Sequence, residues 1–333
     1  MSDWHLLAES TRGDVVENQY FGIAVVCDTH GNIVHAWGNP ERAVFPRSAL
    51  KPMQALPAVS SGATDHYGFA NQHLAMLCAS HSGQPMHVAL IGEMLGKLGL
   101  DTQSLQCGRH QPYYDVAHMD DGLPPLSHYN ATHHNCSGKH TGFLACACHQ
   151  QADTAHYLDP LHPVQKAVQQ SIVELSGEAA SAVHAATDGC SAPTYALPLR
   201  GLATAYARIA AATTTSPDSA EGQLGLAMMA HPTLVSGTGR GDEFLMQLMP
   251  DACIAKMGAD GIQAIGLPQH GLGIAIKIAD GNGRAPVMAA LSVLQHLKVL
   301  PDLTPKQHAE WLRVPLHNAR GICVGEIRPR PIV

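Results

Sequence analysis

Residues 22–37 have the sequence Gly-Ile-Ala-Val-Val-Cys-Asp-Thr-His-Gly-Asn-Ile-Val-His-Ala-Trp, in which two apolar runs flank a polar turn. The runs Gly22–Cys27 and Ile33–Trp37 have the length and composition of strands. Gly31 and Asn32 are residue types that tolerate the positive φ angles of tight hairpin turns. The segment therefore predicts an antiparallel hairpin close to the amino terminus.

Further strands are predicted near the carboxyl terminus, and helices between the two ends. Segments 261–267 and 271–279 indicate a second hairpin, and 321–327 a last strand. Apolar spacing predicts helices at residues 48–59, 73–78, 86–98, 163–176 and 199–212. The polar segment 213–219 is predicted to be a loop. We expect a mixed α/β (α+β) fold, with a sheet from both termini covered by a helical central portion at about 46–215, forming one domain over 1–333.

Composition restricts the class of protein. The chain has 333 residues, a formal net charge of −7 and only 14% charged residues, which excludes a disordered chain and makes a nucleic-acid partner a poor hypothesis. No apolar stretch approaches the roughly 20 residues of a membrane span. Residues 1–10 lack a signal-peptide pattern, and nine cysteines without a framework spacing indicate reduced thiols. We therefore expect a cytoplasmic protein.

The segment Phe45-Pro-Arg-Ser-Ala-Leu-Lys-Pro-Met-Gln54 contains the strongest chemical signal. The ring of Pro52 clashes with the carbonyl four residues earlier, so a regular helix is expected to begin at Ser48 rather than to pass through it. Unpaired N–H groups at a helix start favour developing negative charge. Lys51 lies three residues later on the same face and, when neutral, would be a base for the Ser48 hydroxyl. The spacing alone also fits a serine cap followed by a solvated lysine.

The surrounding motifs resemble those of one protein family. They are Pro46-Arg-Ser-Ala-Leu-Lys-Pro-Met-Gln54, Ala79-Ser-His-Ser-Gly83, Asn135-Cys-Ser-Gly-Lys-His140, Asp188-Gly-Cys-Ser-Ala-Pro193, Ser236-Gly-Thr-Gly-Arg240 and Ala255-Lys-Met-Gly-Ala-Asp-Gly261. Together with segments at both ends, they are similar to the thermolabile, rhizobial-type bacterial L-asparaginases, the asparaginase II family. The resemblance covers nearly the whole chain.

This resemblance implies a fold like that of serine β-lactamases and bacterial serine glutaminases, a homodimer, and hydrolysis of L-asparagine to L-aspartate and ammonia. It implies that Ser48 is the nucleophile with Lys51 as its base, and that Ser80 and Lys256 form a second Ser–Lys pair. The implied zinc ligands are Cys136, Lys139 and Cys190. Residues expected to organise the site or to bind the substrate are Arg47, His81, Asp188 and Arg240.

The residues themselves leave alternatives open at three points. Spacing alone favours Cys136 with His134 or His140 as metal ligands, with Cys146, Cys148 and His149 as a rival cluster. Ser236–Arg240 lacks the ending of a phosphate-binding loop and is interpreted as a tight turn that places Arg240. Met257 and Asp260 stand where the family pattern leads us to expect Gly and Glu, and Met257 is expected to narrow the pocket.

Several other activities remain as alternatives. A glutaminase would act on glutamine, whose side chain is only one methylene longer than that of asparagine. A β-lactamase or transpeptidase is disfavoured because Met257 replaces the hydroxyl residue of a Lys-Thr-Gly motif. A non-catalytic, zinc-stabilised amino-acid-binding protein would not need two Ser–Lys pairs. Self-processing catalysis would require cleavage of the chain before a threonine.

Overall fold

The computed structural model describes residues 3–113 and 127–332. Its main element is an eight-stranded sheet with the order β10-β11-β1-β2-β9-β8-β7, in which β3 also pairs with β2. The strands are β1 His5–Arg12, β2 Val15–Asp28, β3 Ile33–Trp37, β7 Ile254–Gly258, β8 Ile262–Leu267, β9 Leu272–Ile278, β10 Val314–His317 and β11 Cys323–Pro329. A small second sheet has the order β4-β6-β5, from Ala43–Val44, Pro193–Pro198 and His184–Thr187.

Both predicted hairpins are confirmed. Strands β2 and β3 pair antiparallel, and the turn between them contains Gly31 at φ +86°. The Asp28 carboxylate accepts hydrogen bonds from the backbone N–H groups of His30 and Asn32, which closes this turn. Strands β8 and β9 form the second hairpin.

The sheet joins the two ends of the chain, as expected. Strand β1 pairs antiparallel with both β2 and β11. The mixed α/β class is therefore confirmed. The prediction of one domain over residues 1–333 stays a prediction, since it includes residues outside those described.

The helices lie mainly between the two groups of strands. The α-helices are Lys51–Ser60, Ala63–His66, Asn71–Leu77, Pro85–Lys97, Ser137–His149, Pro163–Ser176, Leu199–Thr215, Ala220–Ala230, Pro232–Ser236, Gly241–Leu248, Ala285–His296 and Pro305–Gln307. Short 3₁₀ turns occur at Arg47–Leu50, Thr102–Ser104, Ala131–His133, Ala180–Ala182 and Pro268–His270, and a π turn at His308–Leu312. None of these helices is long and apolar enough to cross a bilayer.

Two differences from the predicted elements are found. The Leu199–Thr215 helix continues into the predicted loop, and the hydroxyls of Thr213, Thr214 and Thr215 donate to carbonyls of the preceding turn. The small second sheet was not predicted, since its strands are short and depend on contacts between distant segments.

The Leu199–Thr215 helix packs across strands β2, β8 and β9. Glycine permits this close approach, because a Cβ at Gly273 would lie 1.9 Å from the carbonyl oxygen of Ala203. The buried apolar side chains of the helices and the sheet belong to one contiguous cluster. This core fixes the positions of the elements that carry the candidate site.

Candidate active site

Ser48 lies in a 3₁₀ turn that leads directly into an α-helix. The turn spans Arg47–Leu50, and the helix begins at Lys51 with Pro52 in its first turn, as the sterics of proline require. Arg47 has a φ of +54°, a conformation that costs free energy in a residue other than glycine. Ser48 is half-buried, and its hydroxyl makes no hydrogen bond within the part of the chain that the structure describes. It is free to meet a substrate.

The amine of Lys51 is fully buried and has three polar neighbours. Its Nζ lies 2.7 Å from the Ala79 carbonyl oxygen, 3.1 Å from that of Asn135 and 2.8 Å from Ser80 Oγ. Burial lowers the pKa of this amine. A neutral amine has two N–H groups and one lone pair. In the neutral amine the two carbonyls accept both N–H groups and the lone pair faces the Ser80 hydroxyl, whereas in the charged amine the third N–H donates to Ser80 Oγ.

The hydrogen-bonded pairs differ from those expected from the family resemblance. The expected pairs were Ser48 with Lys51, and Ser80 with Lys256. Among the described residues, Lys51 instead bonds to Ser80, and neither expected pair forms a direct hydrogen bond. The fold thus places Ser80, rather than Ser48, in direct contact with the buried amine of Lys51.

Lys256 forms a buried ion pair with Asp242. Its Nζ lies 3.2 Å from Asp242 Oδ2, both side chains are 0% exposed, and Gln263 donates to the other carboxylate oxygen at 3.1 Å. Burial lowers the pKa of Lys256 to about 8, although Asp242 opposes this shift, and Lys51 contributes to the lowering. Sequence reasoning missed Asp242. The only sequence feature that could have indicated Asp242 is its position in the first turn of the helix that follows the Ser236–Arg240 turn.

The glycine of the Lys-Met-Gly segment has a steric role. Strand β7 is the last strand of the sheet order and packs against the 3₁₀ turn of Ser48. A Cβ at Gly258 would lie 2.1 Å from the carbonyl oxygen of Pro46. Glycine at this position therefore allows the sheet edge to reach the turn that carries Ser48.

Arg47 connects the Ser48 turn to two acidic residues. Its Nε donates to Asp188 Oδ1 at 2.7 Å, and its Nη1 donates to Asp260 Oδ2 at 2.6 Å. Burial alone would raise the pKa of Asp188, but Lys139 and Arg47 lower it below its usual value. Arg47 and Asp188 thus form an ion pair with each other. That either side chain contacts a substrate stays a prediction.

A buried cluster of metal-ligating side chains adjoins this arginine. Ligand atoms of Cys136, Asp188 and Cys190 lie within 4.8 Å of one another, and Lys139 Nζ is 3.1 Å from Cys190 Sγ. A hydrogen bond with Cys190 lowers the pKa of Cys136, and the two cysteines raise the pKa of Lys139 although its burial opposes this. Two thiols and a carboxylate are donors that fit zinc, and Lys139 joins them as a ligand only if its amine loses its proton. The three predicted ligands are therefore together, and Asp188 joins them.

The rival cysteines occupy a different position. Cys146 is buried and Cys148 half-buried on the Ser137–His149 helix, and neither belongs to the cluster of Cys136. This agrees with their interpretation as small apolar side chains of a packed helix.

His81 and Arg240 have protein partners. His81 is fully buried, its Nε2 is 2.8 Å from Ser137 Oγ, and its Nδ1 accepts from the Gly83 N–H. Ser137 donates its own hydrogen to Thr132, so His81 donates to Ser137. Both ring nitrogens of His81 therefore form hydrogen bonds within the protein, and a contact of His81 with substrate stays a prediction.

Arg240 lies at the edge of a groove near the sheet edge. Its Nη2 is 3.2 Å from Met257 Sδ, and its guanidinium lies over the Tyr113 ring at 5.4 Å. Gly237 and Gly239 have positive φ angles of +111° and +74°, which confirms the tight turn before Arg240. Arg240 and Met257 line a groove of 1170 Å³. Whether Met257 narrows the substrate pocket stays a prediction.

Comparison with known proteins gives one family. The model of the family described as L-asparaginase II matches residues 8–329. Among curated proteins, none matches this chain significantly.

Three solved structures overlap with the chain in part. A β-lactamase from Mycobacterium bovis has 13% identity and a TM-score of 0.45, covering 83% of this chain and 94% of its own. The native form of Mglu has 13% identity and a TM-score of 0.48, covering 85% and 66%. An octameric penicillin-binding protein homologue from Pyrococcus abyssi has 14% identity and a TM-score of 0.31, covering 90% and 80%. The TM-scores of these three structures are low, so the fold class is inferred from the strand order of this chain.

Proposed function

Because the chain belongs to the L-asparaginase II family, which makes it an amidohydrolase, we propose that it hydrolyses the side-chain amide of L-asparagine to L-aspartate and ammonia. The observation that carries this proposal is the buried Lys51 amine, whose two N–H groups face carbonyls and whose remaining position faces the Ser80 hydroxyl. Such an amine is a base for a serine nucleophile.

Ser48 is the nucleophile in this proposal, and Ser80 carries its proton to Lys51. A substrate must reach the nucleophile, and Ser48 is half-buried whereas Ser80 is only 4% exposed. The turn of Ser48 also stands at a helix start, where N–H groups stabilise negative charge. Ser80, in direct contact with Lys51, is suited to a relay.

In the first step, Ser48 Oγ attacks the amide carbon of asparagine. The Ser48 proton passes to Ser80 as the Ser80 proton passes to Lys51 Nζ. When the tetrahedral intermediate collapses, the C–N bond breaks and the leaving nitrogen takes the proton from Lys51, which gives ammonia and an aspartyl ester of Ser48. Water then attacks the ester and gives a proton through Ser80 to Lys51, the bond to Ser48 Oγ breaks, Ser48 takes this proton back, and aspartate is released.

Lys256 assists by its charge. It interacts electrostatically with Lys51, and a positive charge nearby opposes protonation of the Lys51 amine. Asp242 holds Lys256 in place through the buried ion pair.

The proposal includes a zinc ion held by Cys136, Lys139 and Cys190, with the Asp188 carboxylate beside them. When bound, zinc would supply a fixed positive charge that holds these side chains in place beside the Ser48 turn. Asp188 would in turn hold Arg47, which precedes Ser48. A homodimer is also part of the proposal on the basis of the family resemblance alone, and a cytoplasmic location on the basis of the nine cysteines without a framework spacing.

The direct test is ammonia release by the purified protein from L-asparagine and from L-glutamine at equal concentrations. We expect faster release from asparagine, and at least 1000-fold less from Lys51→Met, which removes the amine but keeps most of the side-chain volume. Lys97→Met, which changes a surface lysine, is the matched control. Absence of ammonia release by the wild type, with saturable asparagine binding, would overturn the proposal in favour of a binding protein. Faster release from glutamine would reassign the substrate.

A further inference from the structure

His140 is a buried residue next to Lys139 that neither the mechanism nor the implied ligand set uses. It follows Lys139 on the Ser137–His149 helix and is 0% exposed. Its Nε2 has no hydrogen-bond partner within the described residues. A buried polar atom without a partner destabilises the folded state, so a structural reason for this nitrogen is expected.

The other ring nitrogen determines where the proton of the imidazole lies. His140 Nδ1 is 2.7 Å from the hydroxyl oxygen of Tyr157, and that hydroxyl accepts the backbone N–H of Gln106 at 2.8 Å. Tyr157 is 0% exposed, so its hydroxyl hydrogen also needs an acceptor. His140 Nδ1 is the acceptor that these contacts provide. With Nδ1 accepting, the ring hydrogen must be on Nε2.

Nε2–H is therefore a donor, and a nitrogen that carries its hydrogen cannot bind a metal ion. The candidate acceptor is the sulfur of Cys190. The ring and this thiol are close enough for each to shift the pKa of the other through a side-chain contact. The same sulfur already accepts from Lys139 at 3.1 Å, so consecutive residues of one helix direct donors at Cys190.

We propose that His140 is a positioning residue of the metal cluster, which donates from Nε2 to the Cys190 thiolate when zinc is bound and is not itself a ligand. This inference rests on the zinc site of the proposed function. The hydrogen bond withdraws charge from one of two neighbouring thiolates, and Tyr157 fixes the tautomer that makes it possible. Such partners of metal ligands typically change metal affinity 10–100-fold.

The test uses the full-length protein loaded with Co²⁺, whose ligand-field bands report the coordination and whose thiolate charge-transfer band reports the sulfurs. In His140→Phe we expect one Co²⁺ per chain and unchanged ligand-field bands. The charge-transfer band should move to lower energy, because a thiolate without its hydrogen bond releases electrons more easily. Zinc affinity, measured by competition with a chromophoric chelator, should fall 10–100-fold.

Two further variants keep the result interpretable. Tyr157→Phe removes the hydroxyl that fixes the tautomer and should give a smaller shift in the same direction. His87→Phe changes another fully buried histidine, whose nitrogens bond to Gln84 and Thr233, and should leave the spectrum unchanged. Circular dichroism confirms that each variant is folded.

Three results would overturn the inference. Loss of Co²⁺ or altered ligand-field bands in folded His140→Phe would make His140 a ligand. An unchanged spectrum and unchanged zinc affinity would leave His140 a packing residue only. Failure of the wild type to bind Co²⁺ or zinc would remove the metal site itself, and ammonia release from asparagine by the same sample would show whether the proposed hydrolysis survives without it.

Discussion

The Nζ atom of Lys51 lies 2.8 Å from Ser80 Oγ, and the carbonyls of Ala79 and Asn135 complete its surroundings. This arrangement holds the lysine in a position where its neutral form has all its hydrogen-bonding groups paired. The neighbouring Ser48 turn is left with a free hydroxyl. In the proposed mechanism, this arrangement separates the nucleophile Ser48 from Ser80, which contacts the base Lys51.

Gly258 provides a steric test of the link between the sheet edge and the Ser48 turn. A Cβ there would lie 2.1 Å from Pro46 O, so Gly258→Ala must displace the turn. We expect more than a 10-fold loss of ammonia release and a loss of about 1–3 kcal/mol in the free energy of unfolding. Gly283→Ala is the matched control, since nothing lies within 4 Å of a Cβ there. Equal effects of the two substitutions would contradict the steric account.

The two acidic partners of Arg47 should differ in importance. The side chain of Asp188 is 9% exposed and that of Asp260 is 67% exposed. Asp188→Asn should lower the free energy of unfolding in urea by about 1–3 kcal/mol, because it leaves a partly buried arginine without its buried charge partner. Asp260→Asn should cost at most about 1 kcal/mol. A larger loss in Asp260→Asn would show that the exposed partner holds the arginine.

The lowered pKa of Lys256 predicts a pH dependence of stability. The pKa falls from 10.5 to about 8 on folding. Below pH 8 the amine is therefore charged in both the folded and the unfolded chain, and the full free-energy cost of burying its charge opposes folding. Between about pH 8 and 10.5 the unfolded chain binds more protons, so the contribution of this residue to stability rises with pH.

Lys256→Met removes this titration. The free energy of unfolding of the wild type minus that of the variant should therefore increase by the order of 1–3 kcal/mol from pH 7.5 to 10. Urea titrations of both proteins at several pH values measure the difference. A difference that is constant over this range would show that Lys256 does not titrate as its burial requires.

Metal removal should destabilise the protein through the cluster of Cys136 and Cys190. A bound ion stabilises only the folded state, so a chelator should lower the thermal midpoint by roughly 4–10 °C. Cys190→Ser, which removes one thiol, should show a lower midpoint without further change on chelation. Cys148→Ser changes a half-buried cysteine outside the cluster and should retain the full chelator effect. The same midpoint with and without chelator in the wild type would argue against a bound metal.

Features set by local sequence were predictable. The hairpin at Gly31 follows from turn chemistry. The ring of Pro52 predicts a helix start at Ser48, and the structure has a 3₁₀ turn there that leads into the α-helix at Lys51. Ser48 and Lys51 were singled out by their spacing and by Pro52, whereas Ser80 and Lys256 were identified only because several motifs resemble one family.

The hydrogen-bond partners were not predictable, since they depend on how distant segments pack. Lys51 meets Ser80 because the segment after the Asn71–Leu77 helix passes beside the amine, and no spacing in the sequence encodes that approach. Asp242 has no motif of its own, yet it is the ion-pair partner of Lys256. Asp188 was expected only to organise the site, and the fold also brings its carboxylate to the thiols.

The most direct measurement is the rate of ammonia release from L-asparagine by the wild type, Ser48→Ala and Ser80→Ala, with folding checked by circular dichroism. The account predicts that Ser48→Ala loses at least 1000-fold and forms no aspartyl ester that hydroxylamine traps as the hydroxamate. Ser80→Ala should lose less and still form the trapped product, because water replaces the relay. A Ser48→Ala protein that retains activity within about tenfold of the wild type, while Ser80→Ala is inactive, would contradict the account and make Ser80 the nucleophile.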